Sequence, residues 1–271
     1  MDIDFNRIVD TERYPIHPLS SIAAKGLVER CRESMRTRGL CLLPAFVRTQ
    51  ALAVMRDEAQ AASSRAFFCH NTHNAYLRND DPRLPESHPA RRRLHTQVGS
   101  IAYDLLPPEG LLTRLYQWDP LTAFIGAVQE HKQSYRSADR LGALSINVFE
   151  PQGSHAWHFD EATFTTTLML QPGDEGGYFE YVPNLRTESD DNYDGVRKVL
   201  DGDEEGVLRA PFEPGTLFVF QGRYSLHRVT PLAGQQPRLV AVLCYEPKPG
   251  VTNSDEVRLL FWGRTGREVA Q

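Results

Sequence analysis

Two histidines and one aspartate in the second half of the chain have the residue types and spacing of a metal site. His158 and Asp160 are two residues apart, so their side chains point to the same side of an extended segment. His227 follows 67 residues later, in a second strand-like segment. Two imidazoles and one carboxylate form the facial triad of non-haem Fe(II) oxygenases, which leaves positions open for a cosubstrate and O₂. Four protein ligands in a closed tetrahedron would instead indicate structural zinc.

Arg238 adds a carboxylate-binding group to this pattern. It follows His227 by eleven residues and begins the next strand-like run. A planar guanidinium can hold a carboxylate through two parallel hydrogen bonds. A 2-oxo acid that chelates a metal through its keto-acid end needs such a partner for its far carboxylate. The alternative is a core histidine, a capping aspartate and a surface arginine with no common role.

Around these residues the chain resembles the Fe(II)/2-oxoglutarate-dependent dioxygenase superfamily. The resemblance covers residues 142 to about 246, and its motifs are HFD at 158–160, GGYFEY at 176–181, GTLFVFQG at 215–222, HRV at 227–229 and Arg238. It implies a double-stranded β-helix, which is a distorted jelly roll. It also implies that His158, Asp160 and His227 bind Fe(II). Arg238 would then bind the C5 carboxylate of 2-oxoglutarate, with O₂ as the second cosubstrate.

A closer resemblance is to the branch that contains the free-amino-acid halogenases of the lysine type and their hydroxylating relatives. The stretches that carry it are INVFEPQGSHAWHFD, FEYVPNLR and FWGR. In the halogenases the acid of the His-x-Asp motif is replaced by Gly or Ala, which opens a position for chloride. Here Asp160 is present and fills that position. The resemblance therefore implies hydroxylation and not halogenation.

Five further residues are candidates for contacts with the cosubstrate or the substrate. Asn147 lies in an apolar strand, where a cosubstrate carboxylate or nearby backbone can partner its amide. Thr167 either faces the barrel mouth beside the cosubstrate or only reflects β propensity. His155 aligns with a substrate-holding position of the similar amino-acid-modifying enzymes, or else is a surface histidine. Glu161 either pairs with a substrate ammonium group or is an exposed acid, and Trp262 either walls the substrate pocket or packs in the core.

The elements that position these residues change in character near residue 142. Residues 1–141 are predicted to be mostly helical support and loop. Helices are predicted over Pro18–Arg38 (N-cap Ser20 or Ser21, end at Gly39), Arg48–Phe67 and Leu111–Tyr135 (interrupted near Pro120), with a short strand over Leu40–Phe46. The polar segment Cys69–Gln97 is predicted to be a long loop, and its His70 and His73 to be loop residues.

Residues 142–271 are predicted to form the jelly-roll core of a single domain spanning 1–271, an α+β fold that is mainly β. Strands are predicted over Gly142–Glu150, Thr163–Gln171, Gly176–Val182, Thr216–Gln221, Ser225–Pro231, Arg238–Glu246 and Val257–Trp262. Residues 183–206 interrupt them as an insertion, with eight acids against two bases between 188 and 205. This insertion is either a solvated surface or an acidic lid near a site for a cationic substrate.

Composition excludes several classes of protein. The 271 residues are 41% hydrophobic and 24% charged, as in ordinary soluble domains. The net charge of −5 and the isolated basic run at 91–93, which has no interleaved aromatic residues, argue against a nucleic-acid binder. No run of 18 apolar residues and no signal peptide are evident, so we expect a cytoplasmic protein without a membrane span. The four cysteines form no CxxC pair, which argues against a zinc finger or disulfide framework.

The sequence therefore predicts an Fe(II)- and 2-oxoglutarate-dependent hydroxylase of a small polar molecule, most simply a free amino acid with a cationic side chain. Desaturation at the same iron site is an alternative. A jelly-roll binding or sensor protein without turnover is another, and so is a cupin-like metalloenzyme, which would not need Arg238. The N-terminal helices either buttress the barrel or form the face of a homodimer.

Overall fold

The structure is a computed structural model that describes residues 4–162 and 164–266. The helices in this part of the chain are α1 (Ile22–Arg38), α2 (Thr49–Ala62), α3 (Leu111–Gln117), α4 (Asp119–Val128), α5 (Tyr193–Leu200) and α6 (Asp255–Trp262). Its strands are β1 (Leu40–Leu43), β2 (Phe67–His73), β3 (Leu94–Ile101), β4 (Tyr135–Arg136), β5 (Leu144–Phe149), β6 (His155–His158), β7 (Phe164–Gln171), β8 (Phe179–Val182), β9 (Leu208–Arg209), β10 (Leu217–Phe220), β11 (Leu226–Val229) and β12 (Arg238–Glu246).

The strands form two antiparallel sheets. The large sheet has the order β1-β10-β7-β12-β5-β3-β2, with β4 also paired to β12. The small sheet has the order β6-β11-β8-β9. The predicted α+β fold with a mainly β jelly-roll core is confirmed. The predicted strand over Thr163–Gln171 is β7, although Thr163 itself lies outside the described residues.

The N-terminal helices begin and end where local chemistry directs them. In α1 the Ser21 hydroxyl accepts a hydrogen bond from the Ala24 amide, and Gly39 ends the helix with a φ of 70°. Pro120 lies in the first turn of α4, where no backbone donor is needed, so the helical region breaks at Trp118. Both features agree with the predicted helices, but the helix predicted to reach Tyr135 ends at Val128, and Tyr135 belongs to β4.

The large sheet is buried on both faces. Helices α1 to α4 cover its outer face, in a core that includes Leu27, Met55, Phe124, Leu168, Val219 and Ala241. Its inner face packs against the small sheet through aromatic side chains, among them Phe179, Tyr181, Phe218 and Phe220. Burying each such side chain stabilises the fold by about 1.5–3 kcal/mol. The N-terminal helices therefore buttress the barrel.

The predicted loop over Cys69–Gln97 is wrong at both ends. Strands β2 and β3 pair with each other, and β3 pairs with β5, so they extend the large sheet. Strand β2 is an edge strand in which five of the seven residues are exposed or half-buried, which explains its polar sequence. The helix predicted over Arg48–Phe67 likewise ends at Ala62, and Phe67 already belongs to β2.

The strand predicted over Val257–Trp262 is also wrong, because these residues belong to helix α6. The Ser254 hydroxyl caps its first turn by accepting from the Val257 amide, and Gly263 ends it with a φ of 66°. The valine and aromatic residues favoured a strand, but the Ser and Gly caps on either side identify a helix. Among the described residues, no helix has both the length and the apolar character needed to cross a membrane.

The acidic insertion 183–206 contains helix α5 and covers the outer face of the small sheet. Its apolar side chains pack against that face, in a cluster that includes Trp157, Phe159, Val182, Val196 and Leu226. Two of its acids pair with arginines outside it: Asp191 lies 2.8 Å from Arg78, and Asp201 pairs with Arg92. The described residues of this insertion thus lie behind the sheet, away from the cavity described below.

Candidate active site

The structure brings the three predicted metal ligands together. The ligand atoms of His158, Asp160 and His227 all lie within 4.8 Å of one another. Asp160 Oδ1 is 3.6 Å from His158 Nε2 and 3.4 Å from His227 Nε2. The register of the small sheet explains this arrangement, because His158 at the end of β6 lies directly opposite His227 in β11.

Both imidazoles present a bare nitrogen to this group. His158 Nδ1 donates to the carbonyl of Ala156 at 2.8 Å, and His227 Nδ1 donates to the carbonyl of Ser225 at 2.9 Å. A carbonyl oxygen can only accept, so the neutral form of each ring carries its proton on Nδ1 and keeps a lone pair on Nε2. Hydrogen bonds of this kind fix the tautomer and direction of metal-binding histidines.

The protonation states also fit a metal ion. Burial, together with the neighbouring His227, lowers the pKa of His158, so its ring is neutral. Burial alone would raise the pKa of Asp160, but the two imidazoles lower that pKa well below its usual value. Asp160 Oδ2 is buried and has no hydrogen-bond partner among the described residues. A neutral imidazole at His158 and an ionised carboxylate with an unused oxygen are forms that bind a divalent cation.

Gly222 is part of this site, although the sequence analysis did not single it out as a site residue. Its carbonyl accepts a hydrogen bond from the Asp160 amide at 3.0 Å. A Cβ atom at Gly222 would overlap the Asp160 carboxylate. Only glycine therefore allows the aspartate to lie beside the histidines. The glycine that ends the GTLFVFQG motif was the available signal.

Arg238 is a buried cation without a buried anion. It begins β12, is 3% exposed, and lies between the rings of Phe149 and Phe212, at 5.1 and 5.7 Å from their centroids. No carboxylate in the described ranges pairs with it. Burial lowers its pKa to about 9, so it remains charged at neutral pH. A buried charge of this kind is costly unless a ligand neutralises it, and a carboxylate does so.

Asn147 and Thr167 lie on the inner face of the large sheet, with Arg238. Asn147 is opposite Val240 and lines the cavity beside the triad. Thr167 is opposite Val242, and its hydroxyl is buried without a partner in the described part of the chain. Both therefore share a sheet face with Arg238, and their contact with a cosubstrate stays a prediction.

His155 is brought beside His158 by an irregularity in β6. The register shifts so that His158 pairs with His227 but His155 pairs with Val229, which gives β6 one extra residue. Such a bulge re-aims side chains, and here it puts two histidines three residues apart on the same face. Their rings stack at 3.7 Å, and His155 Nε2 is buried without a partner among the described residues. His155 is therefore a buried residue of the site.

A cavity beside the triad is covered by α6. Its lining includes Leu77, Ser100, Ser145, Asn147, His155, Glu161, Thr165, Cys244, Asn253, Val257, Phe261 and Trp262. The carboxylate of Glu161 accepts from the amide and the hydroxyl of Ser254, at 2.9 and 2.7 Å. It thus connects the metal-binding segment to the first turn of α6. Trp262 ends α6 at the cavity wall. The substrate contacts of Glu161 and Trp262 stay predictions.

His73 is not a loop residue, as the sequence suggested, but ends β2 behind the site. It is buried, and its Nε2 is 2.6 Å from the Thr96 hydroxyl. Its ring lies edge-on to those of His155 and His158, with centroids 5.9 and 6.1 Å away. Burial, with a smaller effect of His158, lowers its pKa to about 4, so it is neutral. Because the segment around His73 was predicted to be a loop, the sequence did not identify this histidine as a buried neighbour of the site.

Solved structures share this fold at low sequence identity. An oxidoreductase of the 2OG-Fe(II) oxygenase family from Burkholderia pseudomallei is 18% identical with a TM-score of 0.53, over 83% of this chain and 92% of its own. HygX from Streptomyces hygroscopicus, with nickel, 2-oxoglutarate and hygromycin B bound, is 12% identical with a TM-score of 0.54, over 82% and 88%. The epimerase SnoN in complex with Fe³⁺, α-ketoglutarate and nogalamycin RO is 16% identical with a TM-score of 0.57, over 82% and 84%.

The family comparison covers most of the chain. No curated protein sequence is similar enough to the chain to count as a match. The model of the Halogenase D family, in contrast, matches residues 23–256. The chain therefore belongs to the Halogenase D family, and its fold is that of solved 2OG-Fe(II) oxygenase structures.

Proposed function

We propose that this protein is an Fe(II)- and 2-oxoglutarate-dependent hydroxylase that acts on an unactivated C–H bond of a small polar molecule. The observation that carries the proposal is the buried group of His158, Asp160 and His227, whose ligand atoms lie within 4.8 Å of one another. The buried and unpaired Arg238 on the facing sheet supplies the partner for the far carboxylate of 2-oxoglutarate.

Asp160 is the reason for proposing hydroxylation within a family named for halogenation. The halogenases that this chain resembles have Gly or Ala at this position, which leaves room for chloride beside the iron. Here the carboxylate faces both imidazoles, and Gly222 makes space for it. A third protein ligand occupies the position that a halide would need.

The residues of the chain have separate tasks in this mechanism. Bound Fe(II) and 2-oxoglutarate would supply an oxidant for C–H bonds, formed from O₂ with release of succinate and CO₂. His158, Asp160 and His227 hold the metal, and their hydrogen bonds fix the direction of each lone pair. Arg238 orients the dicarboxylate through its guanidinium. Helix α6 covers the cavity and keeps water away from the reacting atoms.

The cavity favours a small substrate with hydrogen-bonding groups. It has a volume of about 100 Å³, and Ser145, Asn147 and Asn253 are among its polar lining residues. Glu161 contributes an acid, whereas no lysine or arginine lines it within the described ranges. We propose that the substrate is a free amino acid, as in the branch of the family that this chain resembles. The preference for a cationic side chain depends on Glu161, because the acidic insertion lies behind the small sheet.

The proposal is tested by anaerobic reconstitution with Fe(II), followed by O₂, 2-oxoglutarate and a panel of compounds. The panel contains the proteinogenic amino acids and, as matched controls, their decarboxylated amines, such as lysine beside 1,5-diaminopentane. Succinate and the mass of the organic product are measured together. We expect one amino acid to stimulate succinate formation and to gain one oxygen atom. Asp160→Ala should be inactive, and Arg238→Gln should be inactive at low 2-oxoglutarate concentration.

Other outcomes would replace parts of the proposal. A product that has lost two hydrogens indicates desaturation at the same site. Stimulation by the amines alone means that the substrate needs no carboxylate, so free amino acids are the wrong class. Binding of 2-oxoglutarate without succinate from any compound would support a binding or sensor protein. Full activity of Arg238→Gln would favour a cupin-like metalloenzyme.

A further inference from the structure

A short piece of the large sheet lies directly against the bulge of β6. Gln97 in β3 and Ser154 exchange backbone hydrogen bonds of 2.8 and 2.9 Å. Two residues farther along β6, the Ala156 amide donates to the hydroxyl of Thr96 at 3.0 Å. Thr96 is fully buried, so its hydroxyl is the partner that this amide has in place of water. The bulge that re-aims the two histidines is therefore held from β3.

The direction of the next hydrogen bond follows from counting protons. His73 Nδ1 lies 3.0 Å from the carbonyl of Asn74, which can only accept, so a neutral His73 carries its proton on Nδ1. His73 Nε2 is then an acceptor, 2.6 Å from the Thr96 oxygen. The Thr96 hydroxyl accepts from the Ala156 amide and donates its own proton to His73. Every donor in this buried series of hydrogen bonds therefore has an acceptor: the Ala156 amide, the Thr96 hydroxyl and His73 Nδ1–H.

The same Ala156 also orients a metal ligand. Its carbonyl accepts the Nδ1 proton of His158 at 2.8 Å. One residue thus connects Thr96, through its amide, with His158, through its carbonyl. The His73 ring supports the arrangement from behind, edge-on to His158.

We propose that Thr96 and His73 are positioning residues for the iron ligand His158. They fix the bulge at Ala156, and so the direction in which His158 presents Nε2. The inference rests on the proposed function only in requiring a metal at His158. It gives β2 and β3, which precede the His-x-Asp motif by more than 50 residues in the sequence, a direct part in building the metal centre.

The experiment is a double-mutant cycle read by Co(II) binding to the purified full-length protein. Co(II) is the probe because its visible absorption reports the geometry of its ligands. Thr96→Val keeps the shape of the side chain and removes the hydroxyl, whereas Thr96→Ser keeps the hydroxyl and is the matched control. Outer residues that orient ligands are typically worth about 10- to 100-fold in metal affinity. We expect this loss, with an altered Co(II) spectrum, in Thr96→Val and less than about threefold in Thr96→Ser.

The second arm repeats Thr96→Val in a His158→Ala background. If Thr96 acts through His158, it causes no further loss of affinity there. An equal loss in both backgrounds would overturn the proposal, because Thr96 would then only support the fold. An unchanged Co(II) affinity and spectrum in Thr96→Val would overturn it too. Failure of the unmodified protein to bind Co(II) would instead contradict the proposed function.

His73→Phe keeps the proposal testable if Thr96→Val does not fold. The phenylalanine ring fills the same space, but it cannot accept the Thr96 proton. We expect a smaller loss of Co(II) affinity than in Thr96→Val, with the same change in the Co(II) spectrum. A spectrum identical to that of the unmodified protein would show that His73 only fills space, which would overturn its role.

Discussion

The two sheets contribute opposite ends of the candidate active site. The small sheet and the segment that follows β6 provide all three metal ligands of the facial triad. The large sheet provides Arg238, 3% exposed at the start of β12 and without an anionic partner in the described ranges. One sheet is thus equipped for a divalent cation and the other for an anion. A ligand that bridges them must be anionic at its far end and able to chelate a metal at the other.

The sheets also differ in how they are supported. The large sheet lies between helices and the small sheet, in a continuous apolar core. The outer face of the small sheet packs with the apolar cluster of the acidic insertion, and beside it Glu180 accepts from Arg228 and Arg209 at 2.8 and 2.7 Å. Arg228 follows His227 in β11 and points away from the site. The two histidine ligands are directed by hydrogen bonds to backbone carbonyls, whereas Arg238 lies between the rings of Phe149 and Phe212.

The largest expected effect is at the cation end. Asp160→Ala removes a metal ligand, and we expect Fe(II) affinity to fall by more than about 100-fold, since even residues that only orient ligands are worth 10- to 100-fold. Anaerobic Fe(II) titration measures this loss, with Asp57→Ala, at an exposed position of α2, as the control. Unchanged iron affinity in Asp160→Ala would remove the small sheet from the metal site.

At the anion end we expect Arg238→Gln to weaken 2-oxoglutarate binding by at least about 30-fold, the equivalent of about 2 kcal/mol for one partner of a buried charge pair. Fe(II) affinity measured without 2-oxoglutarate should stay within about threefold. Arg238→Lys keeps the charge but loses the paired hydrogen bonds, so its loss should be intermediate. If Arg238→Gln weakened Fe(II) as strongly as 2-oxoglutarate, the division between the sheets would be wrong.

Gly222→Ala sharpens the comparison without changing any ligand. The added Cβ would overlap the Asp160 carboxylate, so we expect a loss of about 10-fold in Fe(II) affinity, within the range for residues that position ligands. Gly26→Ala is the matched control, because its Cβ would lie 3.5 Å from the nearest atom in the middle of α1. Equal Fe(II) affinity in both variants would show that the close approach has no consequence for the metal.

The smallest expected effect is at the cover of the cavity. Glu161→Gln weakens the two hydrogen bonds to Ser254, so the first turn of α6 should open more often. We expect hydrogen exchange of the amides in α6 to be faster by about 5- to 10-fold, the equivalent of about 1 kcal/mol for lost hydrogen bonds to a charged group. Fe(II) affinity should not change. Unchanged exchange rates of the α6 amides in Glu161→Gln would mean that Glu161 does not stabilise the first turn of α6.

Sequence was most informative where chemistry and spacing coincide. His158 and Asp160 are two residues apart on extended chain, and Arg238 begins a strand with a clear apolar pattern. The motif therefore predicted both the triad and the arginine, and the apolar strands predicted the fold. The caps of α1, at Ser21 and Gly39, were also readable because each is a local signal.

The parts that sequence did not reveal depend on contacts between distant segments. The exposed edge strand β2 has no apolar alternation, so His73 appeared to lie in a loop. The bulge in β6 is defined by its register with β11, and no residue type within β6 predicts it. The sequence of α6 suggested a strand because its valine and aromatic residues favour one, whereas the Ser and Gly caps on either side identify a helix.

The most direct test of the central claim is an anaerobic titration of the purified protein with Fe(II), first alone and then with 2-oxoglutarate. The absorbance of the mixture and the bound iron per chain are measured together. We predict one Fe(II) per chain, and a visible charge-transfer band that requires both iron and 2-oxoglutarate and is lost in Arg238→Gln at low 2-oxoglutarate concentration. No band at any concentration, or a band that is the same in Arg238→Gln, would contradict a site in which the small sheet binds the metal and the large sheet binds the far carboxylate.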